Sequence, residues 1–222
     1  IYKIASLEST DIGFLREVAS LRKPMIVSTG AKTINEITVI YDEVRSSLDS
    51  GFALMHCICD YPTTNESTNL AVIRQFNATF DCPIGFSDHS RSTIVGALAR
   101  ACGASIFEKH ITLGVGEVGL DDGFALKPQE IAEYFANIKL ADVMIGSKRG
   151  NKEFLSEKDN RAYRRGLYFA RDIAEGEYLS ESDLTSLRPC LGIDAINRDQ
   201  IVGRRTRIKV CVGQPIDWSA VD

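Results

Sequence analysis

The chain has 222 residues and a formal net charge of −4, with a sequence pI near 5.5. This charge balance excludes a strongly basic protein whose main partner is nucleic acid or an anionic membrane. No stretch approaches the roughly 20 apolar residues that span a bilayer, and the chain does not open on a secretory signal, so we expect a cytoplasmic protein. The six cysteines lie mainly among apolar neighbours, which predicts reduced thiols.

The first part of the chain alternates short apolar runs with helix-like segments. The predicted strands cover residues 2–5, 24–28, 52–57, 84–87 and 105–109. The predicted helices cover residues 11–21, 33–47, 70–80, 92–101 and 128–145. In the second helix, Thr33 and Glu36 have the spacing of a capping box. The alternation predicts a parallel sheet, because a parallel crossover needs a connection of about a dozen residues.

Three parts of the chain differ in character. Five strands are too few to close an eight-stranded barrel of about 250 residues, so we interpret residues 1–146 as the last five βα units of a TIM-barrel type α/β domain. Residues 147–162 are charged and weakly periodic, as an exposed linker is. Residues 163–222 contain short β-rich runs punctuated by glycines and are predicted to form a small separate domain.

Each histidine of the chain follows an apolar run where a strand is predicted to end: His56, His89 and His110. Parallel α/β folds build active sites at the carboxyl ends of their strands. This pattern therefore predicts that the three histidines lie together on one rim, at the carboxyl edge of the sheet. Asp88 and Glu108 are nearby carboxylates of the kind that orient a ligand or carry a proton. For any one histidine, a structural residue bonded to a backbone carbonyl remains the alternative.

The predicted strand ends carry, in order, YKIAS, VSTG, HC followed by YP, GFSDH, and EKHITL followed by Asp121 and an LKP turn. The tail carries RRGLYFARDIAEGE, LRPCLGI and VGQPID. Together these motifs resemble the sialic acid synthase (N-acylneuraminate synthase) family, including its C-terminal antifreeze-like SAF domain, a β-clip fold. The resemblance covers essentially the whole chain. It implies condensation of phosphoenolpyruvate with N-acetylmannosamine or a related acylamino sugar, giving a sialic (nonulosonic) acid and phosphate.

The resemblance also implies which residues act. His89 and His110 match the family's metal ligands, so a divalent ion, Mn²⁺ or Mg²⁺, is expected to polarise the sugar aldehyde. Positions that match the family's phosphoenolpyruvate contacts are Lys3, Ser6, Ser28 and Ser87. They offer the cation and neutral donors that a phosphate and a carboxylate need, although a local turn or cap is the alternative for each serine.

The remaining matches concern the sugar. Glu108 matches a catalytic carboxylate that handles protons or an attacking water, Asp121 matches a residue that holds sugar hydroxyls, and Tyr61 matches a substrate-side residue whose alternative is a core aromatic. Arg188 matches an arginine that reaches the acyl group in the partner subunit's barrel. This last match implies a domain-swapped homodimer, with a solvated surface arginine as the alternative.

The chain departs from the family pattern in three respects. Cys59 stands where many relatives have a polar residue near the phosphate, and a thiol is a poor donor. The loop 114–128 lacks the family's PGPD spacing, so the acceptor stays open between N-acetylmannosamine and the diacylated or 6-deoxy sugars that lead to legionaminic or pseudaminic acid. The family's first strands, which carry further site residues, have no counterpart here, so activity of this chain alone stays open.

Two other functions stay open beside the synthase. The first is a non-catalytic fragment or pseudoenzyme that binds carbohydrate. Cys59 and the missing strands favour it, and the retained His89, His110, Glu108 and Lys3 disfavour it. The second is an ice- or sugar-binding tail supported by the barrel. Sibling enzymes that condense phosphoenolpyruvate with sugar phosphates lack the SAF-like tail, and that tail favours the sialic acid synthase family over them.

Overall fold

The structure is a computed structural model that describes residues 1–48, 51–114, 119–146 and 163–222. The chain divides into two compact units, Ile1–Ser147 and Lys148–Asp222. The predicted linker 147–162 lies outside the described residues. Within the described ranges, no helix combines the length and the apolar character needed to cross a membrane.

The first unit is a five-stranded parallel sheet with helices between its strands, and the strands follow chain order across the sheet. The strands are β1 (Tyr2–Ile4), β2 (Met25–Ser28), β3 (Phe52–Cys57), β4 (Ile84–Asp88) and β5 (Ile106–Lys109). The helices are α1 (Ile12–Ser20), α2 (Ile34–Ser47), α3 (Ala71–Thr79), α4 (Val95–Ala101) and α5 (Pro128–Ile145). These bounds lie within one residue of the predicted ones, apart from the start of α4.

Helix α4 begins later than predicted because serine hydroxyls bond to the backbone before it. Ser90 Oγ accepts the N–H of Ser92 at 3.3 Å, and Ser92 Oγ accepts the N–H of Ile94 at 3.4 Å. Such local bonds offer the backbone an alternative to the helical ladder. By contrast, the predicted capping box of α2 is confirmed, since Thr33 N–H donates to Glu36 Oε2 at 2.7 Å and Glu36 N–H donates to Thr33 Oγ1 at 3.3 Å.

The two faces of the sheet have different roles. Alternate residues such as Ile4, Val27 and Leu54 are buried against the helices and form the main core. On the other face the strand register aligns Ser28 with Met55, and Cys57 with Ser87 and Glu108. The helix-facing core therefore stabilises the unit, while the other face carries polar side chains toward the carboxyl ends of the strands.

The sheet is curled into a half-barrel. Strands β1 and β5 are its two edges, which in a flat sheet would be separated by about 19 Å. Nevertheless Lys3 Nζ of β1 lies 3.1 Å from Glu108 Oε2 of β5. Curling therefore brings the two edges near enough for their side chains to meet at one mouth.

The second unit is small and β-rich, as predicted. Strands β6 (Gly166–Phe169) and β7 (Leu184–Leu187) pair antiparallel, and a short helix, α6, covers Arg198–Ile201. Its core contains Leu167, Phe169 and Ile216, each with no measurable exposure. The unit thus has an apolar core of its own.

Candidate active site

One part of the site is a row of polar side chains across β1, β4 and β5. Ser87 Oγ donates to Glu108 Oε1 at 2.8 Å, and Lys3 Nζ is 3.1 Å from Glu108 Oε2. Lys3 and Glu108 are about one-third exposed, so solvent and small ligands reach them. The structure therefore brings together three residues that sequence analysis assigned to substrate binding or catalysis.

A second part lies at the ends of β1 and β2. Ser6 Oγ accepts the Gly30 N–H at 3.0 Å, and Ser9 Oγ contacts both the Ser6 carbonyl oxygen at 2.8 Å and the Ser28 carbonyl oxygen at 3.1 Å. The hydroxyl of Ser28 is buried and has no hydrogen-bond partner among the described residues. An unpaired buried hydroxyl carries a cost, which a polar ligand would remove.

Cys59 lies beside these serines. A Cβ built on Gly30 would stand 2.5 Å from Cys59 Sγ and 2.9 Å from Ser6 Oγ. The thiol therefore occupies the space next to the serine expected to contact phosphate. Burial raises the pKa of the neighbouring Cys57, which keeps that thiol protonated.

His89 and His110 are neighbours with similar hydrogen-bonding. Nδ1 of His89 lies 2.9 Å from the Ile58 carbonyl oxygen, and Nδ1 of His110 lies 3.2 Å from Asp121 Oδ2. The centroids of the two rings are 5.2 Å apart. An acceptor on Nδ1 favours the proton on that nitrogen and leaves the Nε2 lone pair available. Burial lowers the pKa of His89 and so favours its neutral form.

This donor set suits a divalent metal that retains open coordination positions. Imidazole nitrogens are ligands that Mn²⁺ accepts from a protein, and a lone pair on Nε2 of each ring can bind it. The Ser87 hydroxyl lies 3.4 Å from His89 Nε2, so that nitrogen faces the same polar side chains as Glu108. Within the described residues, no group of three or more His, Cys, Asp or Glu side chains is arranged to hold a metal. His89 and His110 would therefore leave the remaining positions to water and substrate.

The predicted shared rim of three histidines is wrong for His56. Its Nε2 lies 2.8 Å from the Thr68 carbonyl oxygen, and its ring stacks on Phe86 and meets the edge of Phe76, both in the helix-facing core. Strand alternation sends the side chain of Cys57, rather than that of His56, to the site face. Burial lowers the pKa of His56, so it is a neutral structural residue.

The carboxylate of Asp88 does not bond to the imidazole ring of His89, although it directly precedes that residue. Its Oδ2 lies 2.9 Å from Lys109 Nζ, and the two side chains are almost completely buried. The strand places Asp88 and Lys109 opposite each other in the ladder of β4 and β5. The bonding partners of His89 Nδ1 and His110 Nδ1 are instead Ile58 and Asp121.

Aromatic rings line the part of the site that contains His89 and His110. The ring of Tyr61 lies 4.2 Å, centroid to centroid, from His89 and 5.5 Å from Phe124. Phe124 also lies 5.0 Å from the ring of His110. Tyr61 is half exposed, so it is a surface of the site and not a core aromatic. Asp121 belongs to the same group through its contact with His110.

Sequence analysis missed two residues near the site. Phe124 is one, and the only signal was its position three residues after Asp121. Lys32 is the other: its Nζ donates to the Ser6 carbonyl oxygen and, at 3.3 Å, to that of Gly30. Its position two residues after the VSTG motif was the available signal. A second cation therefore lies beside Ser6, Ser9 and Ser28, which together form the serine cluster.

Arg188 belongs to the second unit. It is exposed and directly follows β7. Among the described residues it has neither an ion-pair partner nor a side-chain hydrogen bond.

The fold and site define a class: an α/β half-barrel with two imidazoles and a Lys–Glu pair at its mouth, joined in one chain to a β-rich domain. Family models match residues 1–150 to the NeuB family and residues 164–222 to the SAF domain. The chain therefore belongs to the NeuB family and carries a SAF domain, which confirms the family resemblance predicted from the motifs.

Several curated relatives are named as synthases of nonulosonic acids. An N,N'-diacetyllegionaminic acid synthase of Legionella pneumophila is 32% identical over 99% of this chain and 63% of its own length. A pseudaminic acid synthase of Campylobacter jejuni is 32% identical over 97% of this chain and 62% of its own length. The chain thus spans less than two thirds of the length of either synthase.

Solved structures support the same fold. The sialic acid synthetase of Leptospira borgpetersenii serovar Hardjo-bovis, in complex with citrate, aligns with a TM-score of 0.66 and 29% identity over 72% of this chain and 56% of its own. A spore coat polysaccharide biosynthesis protein E from Chromobacterium violaceum aligns with a TM-score of 0.85 over 100% of this chain and 68% of its own. At 24% identity, the second likeness concerns the fold alone.

Proposed function

We propose that this site belongs to a synthase that condenses phosphoenolpyruvate with an acylamino aldose. The enol carbon attacks the sugar aldehyde, water adds to the resulting cationic carbon, and loss of phosphate gives a nonulosonic acid. The observation that carries the proposal is that Lys3, Ser87 and Glu108 lie together with the imidazoles of His89 and His110 at one barrel mouth, where Ser87 Oγ is 3.4 Å from His89 Nε2. The nonulosonic acid synthases among the relatives support it.

Phosphoenolpyruvate needs cations and neutral donors for its phosphate and carboxylate. Lys3 supplies a cation at the mouth. The Ser28 hydroxyl, which has no partner within the described part of the chain, supplies a donor close to Ser6, since Ser9 Oγ contacts the carbonyl oxygens of both serines. Lys32 adds a second cation near Ser6. Charge-assisted hydrogen bonds to such groups are about twice as strong as neutral ones, so these residues are the proposed anion subsite.

His89 and His110 would hold the divalent metal through Nε2. When bound there, a divalent metal supplies Lewis acidity that polarises the sugar aldehyde. The chain's own contribution is to keep both Nδ1 protons engaged, on the Ile58 carbonyl oxygen and on Asp121, so that both lone pairs point away from those acceptors.

Glu108 is the proposed proton acceptor. Its two oxygens contact Ser87 Oγ and Lys3 Nζ, which fix the carboxylate in one orientation. Water that adds to the cationic carbon must lose a proton, and a carboxylate held at the mouth can accept it. Lys3 and Ser87 thus serve two purposes, anion binding and orientation of the base.

The sugar would lie against Tyr61 and Phe124, with Asp121 accepting hydrogen bonds from its hydroxyls. Aromatic rings beside a polar carboxylate fit the apolar and polar sides of an acylamino sugar. The acceptor remains N-acetylmannosamine or a diacylated or 6-deoxy sugar. Arg188 of a second copy is the proposed partner of the acyl group, which makes the functional unit a domain-swapped homodimer.

The test is phosphate release from phosphoenolpyruvate by the full protein with Mn²⁺ and each candidate sugar. We expect release that requires sugar and metal and that His89→Ala abolishes. His56→Gln is the matched control, because His56 lies on the opposite face of the same sheet and should leave turnover intact. No release with any sugar, from protein shown to be folded, would favour the non-catalytic carbohydrate-binding alternative.

A further inference from the structure

A buried ion pair lies directly behind the two proposed metal ligands. Asp88 precedes His89 at the end of β4, and Lys109 precedes His110 at the end of β5. The two charged residues face each other in the strand ladder, with Lys109 Nζ 2.9 Å from Asp88 Oδ2. Their side chains are 0% and 4% exposed. The pair therefore connects the backbones from which both imidazoles project.

The same pair holds the turn that follows His89. Asp88 Oδ1 accepts the N–H of Ser90 at 2.8 Å, and Lys109 Nζ donates to the Ser90 carbonyl oxygen. Both backbone polar groups of the residue after His89 are thus bonded to the ion pair. The carbonyl oxygen of His89 itself accepts the Thr63 N–H at 3.0 Å. The backbone around His89 consequently has little freedom to rotate.

Tyr134 of α5 closes the pair off from solvent. Lys109 Nζ lies 5.7 Å from the centroid of its ring, and Tyr134 is 1% exposed. The ring is tightly packed, because a Cβ on Gly96 of α4 would stand only 2.5 Å from Tyr134 Cζ. Helices α4 and α5 therefore fix the position of Lys109 from the side away from the site.

Stability alone does not explain this arrangement. Replacing a buried ion pair by well-packed neutral residues is often neutral or stabilising, because the desolvation cost of two charges offsets their attraction. The hydrogen bonds to Ser90 are directional, and an apolar pair would lose them. The ion pair therefore orients the backbone at Ser90, which two packed apolar side chains could not do.

We propose that Asp88 and Lys109 are positioning residues for His89 and His110. Their ion pair and its bonds to Ser90 hold the His89 backbone so that Nδ1 stays on the Ile58 carbonyl oxygen and Nε2 stays on the site side, beside the Ser87 hydroxyl. The same bonds fix the separation of the two imidazoles. The metal-binding consequence rests on the proposed function, whereas the orientation of His89 does not. Residues that orient metal ligands typically change metal affinity by about 10- to 100-fold when removed.

The test uses the double variant Asp88→Asn/Lys109→Met in the full protein. It removes both charges and the cross-strand contact, while the Asp88→Asn change retains a side-chain oxygen for the Ser90 N–H. The matched control is Arg100→Met/Asp142→Asn, which removes a partly exposed ion pair between α4 and α5. Three quantities are measured: the melting temperature, Mn²⁺ affinity by calorimetry, and the imidazole ¹⁵N spectrum of the metal-free protein, in which His56 is the internal reference.

We expect the double variant to melt near the wild-type temperature but to bind Mn²⁺ about tenfold more weakly or worse. Its His89 signals should show a mixture of tautomers, while His56 and the control variant remain unchanged. A double variant that keeps both the wild-type His89 spectrum and the wild-type Mn²⁺ affinity would overturn the positioning role.

If the double variant does not fold, Lys109→Arg decides the question. It keeps the charge, but its larger planar guanidinium does not fit the position of the compact ammonium, which lies 2.9 Å from Asp88 Oδ2 and donates to the Ser90 carbonyl oxygen. We expect a shifted His89 spectrum and a lower kcat at unchanged KM for phosphoenolpyruvate, and an unshifted spectrum would refute the proposal. Absence of Mn²⁺ binding by the wild-type protein would instead overturn the proposed function, since the imidazole spectrum needs no metal.

Discussion

Gly30→Ala is expected to disturb the serine cluster by simple overlap. The new Cβ would lie 2.5 Å from Cys59 Sγ, 2.9 Å from Ser6 Oγ and 3.1 Å from the Cys57 carbonyl oxygen. Favourable carbon contacts begin near about 3.5 Å, so the methyl group overlaps its neighbours by up to about 1 Å. Gly30 does not have a positive φ, so backbone strain does not contribute.

The expected loss of stability is about 1–3 kcal/mol, the usual cost of overpacking. In a unit of this size that corresponds to a fall of about 2–12 °C in melting temperature. Because Ser6 must move, the KM for phosphoenolpyruvate should rise while the KM for the sugar stays the same. Calorimetric melting and phosphate-release kinetics on the full protein measure the two effects.

A second variant tests the cause of this effect. Cys59→Ala removes the sulfur that the Gly30→Ala methyl group overlaps most, so the double variant Gly30→Ala/Cys59→Ala should recover part of the melting temperature. Cys59→Ala alone is the control and should change stability less than Gly30→Ala. A Gly30→Ala protein with wild-type melting temperature and wild-type KM for phosphoenolpyruvate would refute the close contact between Gly30, Ser6 and Cys59.

Two further predictions concern pH and assembly. Burial lowers the pKa of His56 in the folded protein. As the pH falls below about 6.5, His56 therefore takes up a proton in the unfolded chain before it does so in the folded protein. The free energy of unfolding then decreases by up to about 1.4 kcal/mol per pH unit. Urea unfolding at pH 7.5 and pH 5 should therefore differ less in His56→Gln than in the wild type, and equal differences would contradict the burial of an uncharged His56. For the proposed swapped dimer, the inactive variants His89→Ala and Arg188→Ala are refolded together. About half of the dimers should then be mixed, and each mixed dimer has one site with both His89 and Arg188 intact. We therefore expect about a quarter of wild-type turnover. Each variant refolded alone is the control, and mixtures without activity would exclude a site shared between subunits.

Much of the fold could be predicted from local pattern. The bounds of β3 and α5 agree with the predicted ones residue for residue, because an apolar run between turn signals and a helix opened by Pro128 are strong local signals. The start of α4 was not predictable from periodicity, since the side-chain bonds of Ser90 and Ser92 compete with the helix. The carboxyl-end location of His89 and His110 also followed from strand order alone.

The sequence by itself determined the element order, the parallel sheet and the family motifs, because these depend on spacing along the chain. Only the tertiary structure decided which strand-end residues share a face. His56 and Cys57 are adjacent, yet the pleat turns one toward Phe76 and the other toward the site. Likewise, the contact between Lys3 and Glu108 joins residues far apart in sequence and depends on the curl of the sheet. Such contacts depend on curvature and packing, which local sequence patterns do not encode.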